Sequence, residues 1–230
     1  MSGMREAVDF LKNAPIFEEL EERDFARISA CGVRKNYKKG DVILLEEESG
    51  SALFVIIEGE VKVVRVGEDG REVILSILGP SDIFGEMALL DGEARSASVV
   101  ALDNAELFML HRKDFLGLLH EYPTIAISLL KHLTQRLRRA DALIKSLSLK
   151  DAYHRVGYVL LQFADERGKI KQGKVEIDNL PVQQEIANMA GTTRETVSRT
   201  FSKMEKLKLL QVSGNTVVIL DYETFRQKFT

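Results

Sequence analysis

QQEIANMAGTTRETVSRTFSKMEK, running from Gln183 to Lys206, reads as two helices joined by a tight turn. Where the second helix crosses the first only a small side chain fits, and Ala187 stands there. The turn needs a backbone free to take positive φ, which Gly191 supplies. An apolar side chain must point back from the second helix, and Val197 fits. That helix opens on Arg194-Glu195 and carries Arg199 one turn later. The three-point spacing is more specific than any one of its members. It is the pattern of a helix-turn-helix reader of duplex DNA.

Downstream, Leu210 to Leu220 reads as a hairpin turning at Ser213-Gly214-Asn215. A reading helix followed by a hairpin is a winged helix. Upstream, Asp151 is a candidate N-cap for a helix with Tyr153, Val156, Val159, Leu160 and Phe163 on its inner face. A polar loop, Asp165 to Lys174, leads from that helix to a short strand near Val175–Ile177.

Further back, Pro123 opens a long helix. Ala126, Leu130, Leu133, Leu137, Ala140, Ile144 and Leu147 advance in alternating steps of four and three, a seam held for three heptads. Lys131, Arg136, Arg138, Arg139, Asp141 and Lys145 load its surface with charge. A lone helix can bury such a stripe on its own domain, but the 3.5-residue period favours a second identical helix. A parallel two-fold pair would place two reading heads symmetrically, as a palindromic site demands.

From Val33 to about Leu110 the texture is different. Short β-rich runs cover Asp41–Leu45, Ala52–Ile57, Val61–Val66, Glu72–Leu78, Ala97–Ala101 and Ala105–Leu110. Glycine turns separate them at Gly40, Gly59, Gly70, Gly79 and Gly92, which predicts an antiparallel roll or barrel. Residues 5–30 read as short helices from Val8, Leu11, Ile16, Phe17, Leu20, Phe25 and Ile28, broken by Pro15.

The formal net charge of -3 looks wrong for a DNA binder until it is divided. Residues 1–150 carry 20 Lys+Arg against 25 Asp+Glu; residues 151–230 carry 12 against 10. The asymmetry has the right sign but is small. Affinity then rests on local placement of Arg194, Arg199, Lys203, Lys206 and Lys208, which on charge alone would read as a solvated face.

Residues 84–98, FGEMALLDGEARSAS, carry a second chemical pattern. Phe84-Gly85-Glu86 sets a bare backbone and a carboxylate at the start of a short helix, and Arg95 follows Gly85 by ten residues. Helix-start amides and an arginine can hold a phosphate, and a carboxylate can accept from sugar hydroxyls. The alternative is that Glu86 and Arg95 merely pair with each other.

On these motifs the chain resembles, over nearly its whole length, the bacterial cyclic AMP receptor protein and fumarate–nitrate regulator (Crp/Fnr) family of transcription factors. The resemblance implies an α+β protein with an antiparallel, jelly-roll-like β-roll and flanking helices. It implies an effector domain over 1–122, a dimerisation helix over 123–149 and a winged helix-turn-helix domain over 150–230. In that family the glutamate binds the ribose 2′-hydroxyl and the arginine binds the cyclic phosphate. Those roles fall on Glu86 and Arg95, with Gly85, Met87 and Ala88 lending backbone and Ser96 a hydroxyl. Cyclic AMP sensors of the family recognise adenine from the dimer helix with a hydroxyl or amide pair; the matching positions are Ala140 and Asp141. The effector implied is a cyclic nucleotide, with cyclic AMP, cyclic GMP and another nucleotide all open; the alternative is a regulator of the same fold that is ligand-independent or gated by redox or another small molecule.

On DNA, the resemblance implies that Arg194 and Arg199 donate to guanine O6 and N7 and that Glu195 accepts from cytosine N4. The implied target is an inverted pair of TGTGA-type half-sites, read by a homodimer that engages RNA polymerase. Thr192 and Thr193 are candidates for capping, phosphate contact or both, and Glu195 could close a capping box with Thr192. Gln183 and Gln184 are phosphate candidates, and Ser198 replaces a residue that is often glycine.

Other classes find little support. No Ser/His/Asp or Cys/His set suggests an enzyme, and His111, His120, His132 and His154 lack metal-ligand spacing. One cysteine, Cys31, forbids an intrachain disulfide, makes a thiolate-held iron–sulfur cluster implausible and reads as a buried structural thiol. No metal or haem is expected. The opening MSGMREAVDF lacks a secretory pattern and no apolar run suits a membrane span, so the expected location is the cytoplasm.

Overall fold

The structure, a computed structural model, describes residues 10–230; Val8, assigned above to an opening helix, lies outside them. The chain divides into two compact units, with the boundary between Arg138 and Arg139.

Among the described residues, the first unit has helical residues 10–13, a 3-10 turn at Pro15–Phe17 and helix α1, Glu22–Cys31. Eight strands follow: β1 Val33–Tyr37, β2 Val42–Leu44, β3 Ala52–Glu58, β4 Val61–Val66, β5 Glu72–Leu78, β6 Ile83–Phe84, β7 Ser98–Ala101 and β8 Ala105–His111. They form two four-stranded antiparallel sheets, β1-β8-β3-β6 and β2-β7-β4-β5. Side chains alternate across a strand, and β3 shows the consequence. Phe54 and Ile56 enter a core with Val61, Val63, Leu78 and Val99 of the other sheet. Leu53 and Val55 enter a second core with Phe17, Phe25, Ile28, Phe115 and Leu129. Covered on both faces, β3 is a continuous apolar run rather than an alternating one.

Between β6 and β7 lies the four-residue helix α2, Met87–Leu90. After β8 come helices α3, Arg112–Glu121, and α4, Pro123–Leu149. Ile125 and Leu129 of α4 are buried and Leu133 packs against the same core. Leu130, Leu137 and Ile144 are instead 64%, 63% and 63% exposed, and Leu147 is 46% exposed. Ala126 is half-buried and Ala140 exposed. The helix therefore buries Ile125 and Leu129, which the sequence reading did not pick out, and of the predicted stripe Leu133 joins that core while Leu130, Leu137, Ile144 and Leu147 stay bare.

The second unit contains α5 Ala152–Arg167, β9 Lys169–Lys171, β10 Lys174–Ile177, α6 Gln183–Ala190, α7 Arg194–Lys206, β11 Leu210–Ser213, β12 Thr216–Ile219 and α8 Tyr222–Phe229. Its sheet has the order β11-β12-β10-β9. Asp151 caps α5 by accepting from the His154 amide at 2.9 Å, and Val156, Val159, Leu160 and Phe163 are buried.

Two expectations need correction. Asp165 to Lys174 is not a loop: α5 continues to Arg167, and β9 pairs with β10, Ile170 opposite Val175. The run is polar because β9 is an exposed edge strand. Cys31 is exposed rather than buried, at the end of α1.

Candidate functional site

The first site is a cleft in the β-roll lined by Leu44, Val63, Phe84, Gly85, Glu86, Met87, Ala88, Arg95, Ser96, Ala97, Val99 and Arg136. Six of the eight ligand residues expected from the sequence therefore meet in one place. β6 aims them: Phe84 stacks on Phe54 of the neighbouring strand, centroids 5.1 Å apart. Gly85 then takes φ +83°, and a Cβ there would lie 2.9 Å from Arg95 Nη1 and 3.1 Å from the Ala52 carbonyl oxygen. Glycine is required on both grounds.

Arg95 is only 6% exposed. Its Nη1 donates to the Gly85 carbonyl at 2.6 Å and its Nη2 to the Ala52 carbonyl at 2.8 Å. Burial pushes the guanidinium below its ordinary pKa, opposed by the charges of Glu86 and Glu48. Glu86 is 1% exposed, and its carboxylate accepts from Arg136 Nη1 of α4. Glu86 and Arg95 thus do not bond each other; each is held by a different part of the first unit. Glu86 also starts α2, its carbonyl accepting from Leu89 at 3.0 Å and Leu90 at 3.1 Å. Ser96 is exposed and donates to the Met87 sulfur at 3.7 Å. Ala140 and Asp141 are exposed residues of α4 in the second unit, whereas the residues that line the cleft all belong to the first.

The second site is the exposed face of α7. Ala187 and Val197 are fully buried and Gly191 is left-handed, φ 59°, ψ 46°, as the three-point pattern requires. Thr193, not Thr192, is the N-cap: its hydroxyl accepts from the Thr196 amide at 3.3 Å. Glu195 consequently cannot close a capping box with Thr192. Its carboxyl is held below the usual range first by its own backbone amide and then by the Thr193 hydroxyl, with Arg194 and Arg199 adding less. Val197, Thr200, Phe201 and Met204 face inward, leaving Arg194, Glu195, Ser198 and Arg199 in solvent. Arg199 Nη2 donates to the Thr196 hydroxyl at 3.2 Å.

Gln183, Gln184 and Arg194 line one cleft with Gly214 and Asn215 of the hairpin turn. Gln184 Nε2 also donates to Asn188 at 2.9 Å. Lys203 turns back from α7, its Nζ 4.4 Å from the Tyr153 ring centroid.

Two residues escape the sequence reading. Arg136 was only one of several surface charges until the fold set it against Glu86. Arg155 of α5 donates to the carbonyls of Ala190 at 2.7 Å, Gly191 at 3.0 Å and Lys150 at 2.9 Å. It fastens the turn between the two reading helices to the helix behind it. Neither contact has a local sequence signal.

Among the described residues no group of three or more His, Cys, Asp or Glu is placed to hold a metal ion. No helix among them is long and apolar enough to cross a membrane.

Comparison with known proteins matches residues 34–122 to the cyclic nucleotide-binding domain and residues 154–228 to the Crp-like helix-turn-helix domain. The chain is 34% identical to a cyclic AMP receptor protein of Thermus thermophilus, over 91% of this chain and 94% of that one. It is 30% identical to a CRP-like cAMP-activated global transcriptional regulator of Mycobacterium tuberculosis, over 96% of this chain and 98% of the relative. Among solved structures, FixK2 from Bradyrhizobium japonicum superposes with a TM-score of 0.77 at 24% identity, covering 86% of this chain and 98% of that one, a likeness of fold.

Proposed function

We propose a function from one premise: the chain belongs to the Crp/Fnr family of transcription regulators. It is a homodimer that reads a palindromic TGTGA-like site and is gated by a cyclic nucleotide held in the β-roll. The observation that carries the gating is Arg95. Among the described residues, this guanidinium, only 6% exposed, bonds two carbonyls and no carboxylate, and the charges of Glu86 and Glu48 only partly offset its burial. Such a charge is costly unless an anion answers it, and a cyclic phosphate is that anion. Glu86 then takes the sugar hydroxyl, Gly85, Met87 and Ala88 offer backbone, and Ser96 offers its hydroxyl.

On this reading, residues 1–122 sense, 123–149 dimerise and 150–230 bind DNA. Leu130, Leu137 and Ile144 form the seam with Ala126, Leu133, Ala140 and Leu147. Arg194, Glu195 and Arg199 read bases, Gln183, Gln184, Thr192 and Thr193 are the phosphate candidates, and Ser198 and Lys203 complete the DNA-binding set. RNA polymerase is the partner expected of such a regulator. A ligand shifts the reading heads only by binding the DNA-competent arrangement better than the other.

Fluorescence anisotropy on a palindromic TGTGA duplex, with and without cyclic nucleotides, is the test. Affinity should rise with the effector; identical affinity throughout would discard the gating. A second reading keeps the fold and changes the effector. Relatives bear names that include cyclic AMP, but Asp141 and Ala140 stand where cyclic AMP sensors carry a hydroxyl or amide. Calorimetry against a panel of cyclic nucleotides separates the two.

A further inference from the structure

Ser96 has a single hydroxyl hydrogen and two claims on it. As an effector contact it donates to the cyclic phosphate. In the structure it donates to the Met87 sulfur at 3.7 Å. A thioether is a weak acceptor, and an anionic oxygen is a strong one. The present contact therefore holds Ser96 lightly and yields it to a ligand. Both residues are exposed and both line the cleft, so the contact lies on its open side.

What a thioether can become decides the rest. Oxidised to its sulfoxide, a methionine changes from a flexible apolar side chain into a polar one with an exposed oxygen. Met87 is 41% exposed, whereas Met109 is 8% and Met204 0% exposed and Met189 is half-buried. Among the described residues, Met87 is thus the methionine most open to an oxidant in solvent. It is also the first residue of the four-residue helix α2, and its side chain reaches across to Ser96, two residues before β7.

We propose that Met87 is an oxidation site that tunes effector binding by capturing the Ser96 hydroxyl. The inference rests on the cyclic-nucleotide reading above. The oxidant is a hydroperoxide. A sulfur lone pair of Met87 attacks its terminal oxygen; an S–O bond forms and the O–O bond breaks. The proton on the transferred oxygen passes to the departing one, which leaves as water or an alcohol. Sulfur is oxidised by two electrons and the peroxide is reduced by two. Methionine sulfoxide reductases reverse the change. The sulfoxide oxygen is a stronger acceptor than the thioether and stands beside the same hydroxyl. Ser96 then stays with its own chain, and an oxygen of partial negative charge faces the incoming phosphate. Both effects weaken the effector. Arg95, bonded to the Gly85 and Ala52 carbonyls, is untouched, so binding should fall rather than vanish.

The test uses the full chain carrying Cys31→Ser, which removes the exposed thiol that peroxide would also oxidise. After limiting hydrogen peroxide, peptide mass spectrometry should show Met87 oxidised ahead of Met109, Met189 and Met204. Calorimetry with cyclic AMP and cyclic GMP should show the oxidised chain binding about tenfold more weakly than the reduced one, the loss of one hydrogen bond to a charged group. A methionine sulfoxide reductase with dithiothreitol should restore the reduced value. Met87→Leu, whatever affinity it starts from, should not respond to peroxide, and Ser96→Ala should respond less than the parent. Met189 oxidised first, or equal affinity before and after oxidation, overturns the inference and leaves the effector reading intact. A response that persists in Met87→Leu, or is undiminished in Ser96→Ala, overturns it as well. A reduced chain that binds no cyclic nucleotide overturns the effector reading itself, and the inference with it.

Discussion

The β-roll cleft and the reading helix both rely on arginine, and they treat it in opposite ways. Arg95 is 6% exposed and its guanidinium is already bonded to two carbonyls. Arg194 and Arg199 stand in solvent on the outer face of a helix whose other face is buried. In the cleft, the guanidinium is already shielded from solvent, so a small anion bound there would meet a weakly screened charge. On the helix, water leaves only when DNA arrives, and the phosphate backbone supplies much of the affinity. A few contacts should therefore decide effector binding, while DNA binding should be shared among many.

Single substitutions test this contrast. Arg95→Leu should have the largest effect, weakening cyclic nucleotide binding by about 100-fold or more in calorimetry, since a buried charge-assisted pair is worth about 3–5 kcal/mol when broken. The fold should persist. Arg194→Ala should cost the specific duplex about 1–3 kcal/mol, one bidentate base contact, and cost random DNA much less. Equal losses on specific and random DNA would reduce Arg194 to a phosphate contact. If Arg95→Leu weakened its ligand no more than Arg194→Ala weakened DNA, the distinction between a dry and a wet arginine would fail.

A smaller effect separates the two left-handed glycines. Gly85 (φ +83°) sits under Arg95, and Gly191 (φ 59°) turns the reading helices. Alanine at either should cost about 1–2 kcal/mol of backbone strain, measured by denaturant unfolding. Gly85→Ala should in addition weaken the effector, because the new Cβ would meet Arg95 Nη1 at 2.9 Å. Gly191→Ala meets only a Leu147 methyl at 3.0 Å and should spare effector affinity. A Gly85→Ala variant with unchanged effector binding would show that Arg95 is not held as tightly as its two carbonyl bonds imply.

The same contrast explains what the sequence revealed. The reading head was legible because Ala187, Gly191 and Val197 act locally, each solving a packing or backbone problem within one short motif. The β-roll was legible where glycine bounded an apolar run. β1, Val-Arg-Lys-Asn-Tyr, was not, because four of its five residues are exposed and its pairing with β8 comes from 72 residues away. Helix α8 did have a local sign: Asp221 caps through Thr224, and Phe225 and Phe229 lie four apart on its buried face. The pocket's Gly85, Glu86 and Arg95 lie within one short segment and could be grouped. Arg136, 50 residues from Glu86, and Arg155, 35 residues from Ala190, could not. Periodicity places a side chain on a face, but it does not say which distant carboxylate or carbonyl that face will meet.

The smallest expected effect concerns acid. Five carboxyls among the described residues are held below their ordinary range, and four of them, Asp151, Asp178, Glu195 and Asp221, belong to the second unit. Asp221 is the cleanest case: the Thr224 hydroxyl and then the Thr224 amide favour its ionised form at the start of α8. A carboxyl whose folded pKa lies below its unfolded value contributes stability above the unfolded pKa and loses it as pH falls through the folded one. Stability of the second unit should therefore decline below about pH 4, the ordinary carboxyl range. Over the same interval Arg95, although lowered by burial, stays protonated and contributes no slope. Asn caps a helix nearly as well as Asp but does not titrate. Asp221→Asn should thus flatten the acid limb slightly when urea midpoints of the second unit are followed against pH. An unchanged slope in that variant would mean that the cap bonds are as strong in the protonated state, and that the exposed head is less sensitive to acid than its depressed carboxyls imply.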